Sequence, residues 1–140
     1  MGKYFTIGEL EHSFTADKHH IDNRIPTDEI RANAEALIEN ILDPLRQEWG
    51  KPLIVNSGYR CPELNANPEI KGAKNSQHMK GEAADLRTAL PYDLASLAVN
   101  LELPFDQLGI SNHFIHISYK RNGGNRGQIF YYKGYYKQRL

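Results

Sequence analysis

The sequence lacks the features on which several protein classes depend. Its 140 residues include one cysteine, Cys61, so the fold cannot rely on a disulfide within the chain. No stretch approaches the roughly 20 apolar residues of a membrane span. Lysine plus arginine equals aspartate plus glutamate, at 17 each, so there is no basic excess to bind nucleic acid or an anionic membrane. We therefore expect no membrane span and no nucleic-acid partner, and we expect Cys61 to be an incidental thiol rather than a nucleophile.

The amino-terminal stretch "MGKYFTIGELEHSF" lacks the apolar segment of a secretory signal and carries two glutamates. We therefore expect the chain as written to be made in the cytoplasm and to leave it only through another factor. The length fits one domain, and the sequence shows no internal repeat. We expect a monomeric single domain with an N-terminal helix and loop over residues 1–26, a core over 27–132 and a tail over 133–140.

Helical signals dominate the first third of the chain. "TIGE" has the form of a capping box, which predicts a short helix after Thr6, and residues 15–26 are typical of a polar loop. Thr27 is a suitable N-cap for a long helix whose apolar residues recur at three- and four-residue steps. Pro44 lies inside this pattern and should interrupt the helix, and Gly50 should end it.

Strand signals cluster later in the chain. Residues 53–56 and "GEAADLR" read as strands, and "PYDLASLAVNLELP" reads as a second helix. "FDQLGI", "FIHISYK" and "GQIFYY" are three more strand candidates, and the turn "RNGGN" should join the last two. The tyrosine-rich tail "YYKGYYKQRL" is typical of an edge strand. This order of elements predicts an α+β fold with a mostly antiparallel sheet.

One group of residues has the composition of a metal site. In "FIHIS", His116 alternates with the aliphatic Ile115 and Ile117, so its side chain should lie on the face opposite the core. With His78 and Asp85 it would form a set of two histidines and one aspartate, which leaves zinc an open fourth position. Taken singly, each histidine could also be an ordinary structural or surface residue. His12, His19 and His20 fall in the polar N-terminal region, where we expect solvated side chains.

Three stretches resemble the zinc D-Ala-D-Ala metallopeptidases, a family of DD-carboxypeptidases, D-Ala-D-Ala dipeptidases and phage L-Ala-D-Glu endolysins. "SQHMKGEAAD" matches the pattern SxHxxGxAxD, "VNSGYRCPELN" resembles the upstream stretch, and "FIHISY" resembles the closing strand. They occur in the family order, and the small size resembles the compact phage- or mobile-element-type branch. The resemblance implies a Hedgehog/DD-peptidase-like fold, with helices packed on one side of the sheet.

The resemblance also implies roles for individual residues. His78, Asp85 and His116 would bind one zinc ion per chain. Arg60, which follows Ser-Gly-Tyr, would contact the substrate and stabilise the developing oxyanion. Ser76 would form a hydrogen bond with the substrate beside the metal.

The sequence departs from the family at the position of the general base. Several relatives carry Asp or Glu three residues before the last histidine, and this chain has His113 there. Neutral imidazole can accept a proton near pH 7, so we predict His113 as the base. Strand alternation requires it to lie on the turn before the strand begins. Asp106 is the nearest acid and the alternative.

The implied function is zinc-dependent hydrolysis of peptide bonds in peptidoglycan stem peptides, of the D-Ala-D-Ala carboxypeptidase or the L-Ala-D-Glu endopeptidase type. The partners would be peptidoglycan peptides, and the site of action would be the cell wall. A zinc-stabilised, catalytically weak module that binds the cell wall or a protein is the alternative of another class. A structural protein whose histidines bind nothing is a third.

Overall fold

The computed structural model describes residues 2–140 as an α+β fold with six α-helices and one five-stranded sheet. The helices are α1 (Ile7–Glu11), α2 (Phe14–Lys18), α3 (Asp28–Leu37), α4 (Asp43–Trp49), α5 (Pro62–Ala66) and α6 (Pro91–Asn100). The strands are β1 (Ile54–Ser57), β2 (Ala83–Arg87), β3 (Gln107–Ile110), β4 (Phe114–Ser118) and β5 (Gln128–Tyr131). The predicted fold class is confirmed, and no helix in this part of the chain is long and apolar enough to cross a membrane.

The N-terminal segment contains one more helix than the sequence predicted. The Thr6 capping box is present and starts α1. The predicted polar loop over residues 15–26 is wrong at its start, because α2 occupies part of it. The Ser13 hydroxyl accepts a hydrogen bond from the Ala16 backbone and so caps this helix. Ser13, two residues after the end of α1, was the signal for a second helix start.

The long helix is interrupted before Pro44, as predicted. Thr27 caps α3, and one wider π-helical turn, Ile38–Leu42, separates α3 from α4. Proline has no backbone N–H and its ring collides with the carbonyl four residues earlier in a regular α-helix. The wider turn lets the chain continue through the proline, and Gly50 ends α4 in the left-handed conformation at φ 76°.

The sheet has the strand order β1-β2-β4-β3-β5. All neighbouring strands are antiparallel except β3 and β5, which are parallel. The predicted pairing of the last two strands through "RNGGN" is therefore wrong. Since β2 and β3 already occupy both edges of β4, the chain crosses over after β4 and adds β5 beside β3. The tail beyond β5 forms no strand, so the predicted edge strand is limited to β5.

The core lies on one face of the sheet. Ile115 and Ile117 of β4 are fully buried there, together with Leu86 of β2. The same core cluster contains buried residues of α3, α4 and α6, such as Leu37 and Leu94, so these helices cover this face. The opposite face of the central strands is left for polar side chains, and Asp85 and His116 lie there.

A buried carboxylate fixes the crossover between β4 and β5. Asp106 is fully buried and accepts hydrogen bonds from Nε, Nη2 and the backbone N–H of Arg126 at 2.8–3.0 Å. The Lys120 Nζ lies 3.7 Å from the same carboxylate. Hydrogen bonds from the Arg126 side chain, against the opposing effect of burial, lower the pKa of Asp106 to about 2.

This lowered pKa predicts a pH-dependent contribution to stability. A carboxylate whose pKa is lower in the folded state stabilises the fold above its unfolded pKa of 3.8, and the contribution is lost as the pH falls towards 2. We expect Asp106→Asn to reduce the free energy of unfolding by about 2 kcal/mol at pH 7 and to weaken the loss on acidification. Urea unfolding at pH 7 and pH 3 measures both quantities.

Asp22→Asn is the matched control, because Asp22 forms a similar two-pronged pair with Arg24 on the exposed surface. We expect little change in this control, since solvent screens exposed ion pairs. A parent-like unfolding free energy of Asp106→Asn at pH 7 would contradict the assignment.

Candidate metal centre

The fold brings His78, Asp85 and His116 together from three places in the chain. His78 lies on the 3-10 turn Gln77–Lys80, and Asp85 and His116 are direct cross-strand partners in β2 and β4. Their ligand atoms all lie within 4.8 Å of one another. The face predicted for His116 by strand alternation is the face on which it is found.

The distances within this group fit a tetrahedral metal ion. The Nδ1 of His116 lies 2.9 Å and the Nε2 of His78 lies 3.4 Å from the same oxygen, Oδ1 of Asp85. Ligand atoms of a tetrahedral zinc site are separated by about 3.3 Å, given metal–ligand distances near 2.0 Å. The three residues could therefore hold such an ion with small adjustments of their side chains.

The orientation of His78 is fixed by a backbone carbonyl. Its Nδ1 lies 2.7 Å from the Gly58 carbonyl oxygen, to which it donates, so Nε2 is the ring nitrogen that faces Asp85. In metal-binding histidines the ring nitrogen that does not bind the metal typically donates a hydrogen bond of this kind, which sets the tautomer and the ring plane. Gly58 lies close to Leu10, and a Cβ at position 58 would collide with the Leu10 backbone.

The turn that carries His78 depends on the residues around it. The Ser76 hydroxyl accepts a hydrogen bond from the His78 backbone N–H at 3.1 Å. Gly81 ends the turn with φ 72°, and a Cβ at this position would lie 2.7 Å from the Ile30 carbonyl oxygen. Ser76 caps this turn and also lines the cleft.

Asp85 is held in its ionised form. Burial alone would raise the pKa of Asp85, but the neighbouring His78 and His116 outweigh that effect and bring the pKa below its usual range. The Nη2 of Arg60 lies 3.6 Å from its second oxygen. An ionised carboxylate is the form that binds a divalent cation.

Arg60 is held rigidly at the edge of this group. Its Nε donates to the Ser57 hydroxyl at 2.9 Å, and its Nη1 donates to Asn65 Oδ1 at 3.1 Å. Burial lowers the pKa of Arg60 and outweighs the opposing effect of the Asp85 carboxylate. Arginine nevertheless stays charged at any relevant pH. Its side chain is only 13% exposed, so the guanidinium is largely shielded from water beside Asp85.

These residues line a cleft of about 600 Å³. The sequence did not reveal two aromatic residues on its wall, Phe130 and Tyr132. The Phe130 ring lies 6.1 Å from the His116 ring and packs over Gly109, where a Cβ would come within 2.4 Å of it. Mainly through burial, and also through Asp85, the pKa of Tyr132 is raised to about 12, so its hydroxyl stays protonated and can donate. The sequence shows that Phe130 and Tyr132 are two residues apart and so share a strand face, but it does not show that β5 pairs in parallel with β3.

Three other predicted residues lie outside the cleft. His113 lies on the turn before β4, as strand alternation required, but it is exposed and is not part of the cleft wall. The buried Asp106 is fully engaged with Arg126. Cys61 accepts a hydrogen bond from the Leu64 backbone and caps α5, so its thiol has a local structural role. In contrast, Glu82 is a carboxylate of the cleft wall that sequence reasoning did not single out.

Comparison with known proteins agrees with this geometry. The family model described as Peptidase M15 matches residues 3–118. The chain belongs to the Peptidase M15 family. The match begins near the amino terminus and ends with β4, so it includes every residue of the candidate metal centre. The resemblance seen in the sequence motifs is thereby confirmed.

A related protein is the zinc D-Ala-D-Ala carboxypeptidase of Streptomyces albus G. It is 46% identical to this Peptidase M15 chain over 57 residues. The aligned segment covers 40% of this chain and 21% of the relative. The chain therefore matches about a fifth of the length of that curated protein.

Proposed function

We propose that this Peptidase M15 chain is a zinc peptidase that hydrolyses peptide bonds in peptidoglycan stem peptides. The observation that carries the proposal is the convergence of His78, Asp85 and His116 on one point of the cleft. The relative's name, a zinc D-Ala-D-Ala carboxypeptidase, supports both the metal and the substrate class. The place of action would accordingly be the cell wall.

His78 would bind one zinc ion through Nε2, Asp85 through a carboxylate oxygen and His116 through Nδ1. When bound, zinc supplies Lewis acidity, which activates water as the nucleophile and polarises the peptide carbonyl. Arg60 directs its fixed charge into the cleft, where it stabilises negative charge that develops on the carbonyl oxygen. The protonated Tyr132 hydroxyl adds a neutral donor to the same wall.

A digest of purified muropeptides by the zinc-loaded protein tests this function. Mass spectrometry of the products should show hydrolysis of one peptide bond in the stem, and the masses identify the bond as D-Ala-D-Ala or L-Ala-D-Glu. His116→Ala serves as the inactive control. Muropeptides that remain uncleaved although the protein has bound zinc would overturn the peptidase proposal.

A zinc-stabilised binding module is the second candidate, and one observation favours it. The predicted base, His113, is exposed and lies outside the cleft wall. A protein that bound muropeptides and zinc without hydrolysis in the same digest would be such a module.

Two residues compete for the role of proton acceptor, and the cleft favours Glu82 over His113. Glu82 and Asp85 are the carboxylates of the cleft wall in residues 2–140, and Asp85 belongs to the metal group. Glu82 immediately precedes β2, so strand alternation does not dictate the direction of its side chain. The Gln77 amide donates to its Oε1 at 3.3 Å.

We expect Glu82→Gln to lower kcat by on the order of a hundredfold, because a carboxamide cannot accept the proton. His113→Ala should keep most of the activity. Steady-state kinetics with zinc content measured in each variant makes the comparison. The opposite ranking, with zinc retained in both, would restore His113 as the base.

A further inference from the structure

The cleft carries a second group of charges that the metal centre does not use. Besides Arg60, its wall contains three cations, Lys80, Lys120 and Arg126. Lys120 and Arg126 come from the crossover loop between β4 and β5. Both approach the fully buried Asp106, which compensates one of their two charges. The pair therefore keeps a net charge of about +1 on the cleft wall.

The loop that presents these cations is well ordered by its own hydrogen bonds. The Lys120 backbone N–H donates to Asn125 Oδ1 at 2.7 Å, and the Asn125 amide returns a hydrogen bond to the Lys120 carbonyl. The next residue, Arg121, donates to Asn33 at 3.0 Å and ties the loop to α3. This bracing holds both cations in position before any ligand arrives.

Arg126 has a donor to spare. Its Nε and Nη2 bind Asp106, and within residues 2–140 no hydrogen bond uses its Nη1. Its side chain is 51% exposed, and that of Lys120 is 36% exposed, so both are accessible from the cleft. A guanidinium and an ammonium group side by side are a suitable receptor for a carboxylate.

The sheet register gives the distance from the metal centre. Gly109 of β3 pairs with both His116 of β4 and Phe130 of β5, so these three residues lie at one level. Lys120 follows His116 by four residues, and Arg126 precedes Phe130 by four. Asp106 precedes Gly109 by three residues and stays hydrogen-bonded to Ser118 of β4 and Gln128 of β5, so it lies about 10 Å along the strands from the metal level. Both cationic groups approach its carboxylate and therefore lie at that same end of the sheet.

This distance decides which anionic group could reach the pair. An extended peptide advances about 3.3 Å per residue, so a carboxylate next to the cleaved bond would lie too close to the metal. A group at least one residue further away, at the end of a long side chain, fits better.

We propose that Lys120 and Arg126 form a subsite for a carboxylate of the substrate peptide that is set back from the cleaved bond. The proposal rests on the proposed function and specifies its substrate class: stem peptides with a free side-chain carboxylate at the third residue. One residue separates that third residue from the D-Ala-D-Ala bond, on the amino side of the bond, and one separates it from the L-Ala-D-Glu bond, on the carboxyl side. A subsite on one side of the metal therefore serves one of these two bonds.

Two synthetic pentapeptides test this subsite. Both contain meso-diaminopimelate at the third position, with its side-chain carboxylate either free or converted to the carboxamide. Binding to the zinc-loaded protein is measured by calorimetry at 4 °C, with mass spectrometry to verify that the peptide is intact, and cleavage is measured separately at 37 °C. We expect the free carboxylate to bind about tenfold more tightly, the effect of one charge-assisted contact.

Lys120→Gln is the informative variant, because it removes a charge and leaves the Arg126–Asp106 pair in place. In this variant we expect the ratio of the affinities for the carboxylate and carboxamide peptides to fall towards one. We expect Lys120→Glu to bind the carboxamide peptide more tightly. Lys120→Arg should retain the preference. Equal binding of the two peptides by the parent would overturn the subsite, while cleavage of both would leave the proposed function standing. Absence of cleavage would count against the proposed function, and the binding ratio would still decide the subsite.

Discussion

His116→Ala is expected to lose both its zinc and its peptidase activity. The substitution removes one of three ligands, and the two that remain cannot complete a catalytic zinc site. Since Lewis-acid catalysis contributes several kcal/mol to the transition state, hydrolysis should fall by at least about a thousandfold. Metal analysis of the purified protein and the rate of muropeptide cleavage measure the two effects.

Asp85→Asn and His12→Ala complete this test. The amide of asparagine is a poorer ligand for a dication, so Asp85→Asn should weaken zinc binding as well. His12 lies in the N-terminal segment and is not part of the cleft wall, so His12→Ala should keep one zinc per chain. Full zinc occupancy in His116→Ala would refute the ligand assignment.

Arg60→Ala is expected to keep zinc and lose turnover. Arg60 contacts Asp85 only at 3.6 Å, so its removal leaves the three ligands in place. Removing one preorganised donor to an oxyanion lowers kcat by about a hundredfold to a thousandfold. Arg60→Lys should also be impaired, because a lysine cannot bind Ser57 and Asn65 at once while it faces the cleft.

Arg24→Ala is a matched control for this experiment, because Arg24 forms an exposed ion pair with Asp22. We expect parent-like kinetics in this variant. Parent-like turnover in Arg60→Ala would show that the guanidinium does not act on the transition state. Zinc content and circular dichroism of both variants separate a catalytic effect from a folding defect.

The sequence predicted the parts of this molecule that depend on local patterns. The caps at Thr6 and Thr27 and the interruption before Pro44 follow from backbone chemistry within a few residues. The outward direction of His116 follows from the period of a strand. The sequence therefore sufficed to propose the metal ligands before their distances were known.

The remaining features depend on contacts between distant segments. The parallel pairing of β5 with β3 was not predictable, because "RNGGN" is equally compatible with a hairpin and with a crossover. Phe130 and Tyr132 reach the cleft only through this pairing. The buried role of Asp106 depends on Arg126, twenty residues later, and the exposure of His113 depends on where the turn before β4 places it.

The direct pairing of Asp85 with His116 links metal binding to the register between β2 and β4. A slip of one residue between β2 and β4 would turn every side chain of the slipped strand to the opposite face. One of the two proposed ligands would then point into the core, and zinc could not bind. A bound ion would thus be a marker of correct strand register, and it would favour the native pairing by mass action. The zinc-to-protein ratio of a preparation would therefore report the fraction of molecules whose sheet is correctly assembled, independently of any substrate.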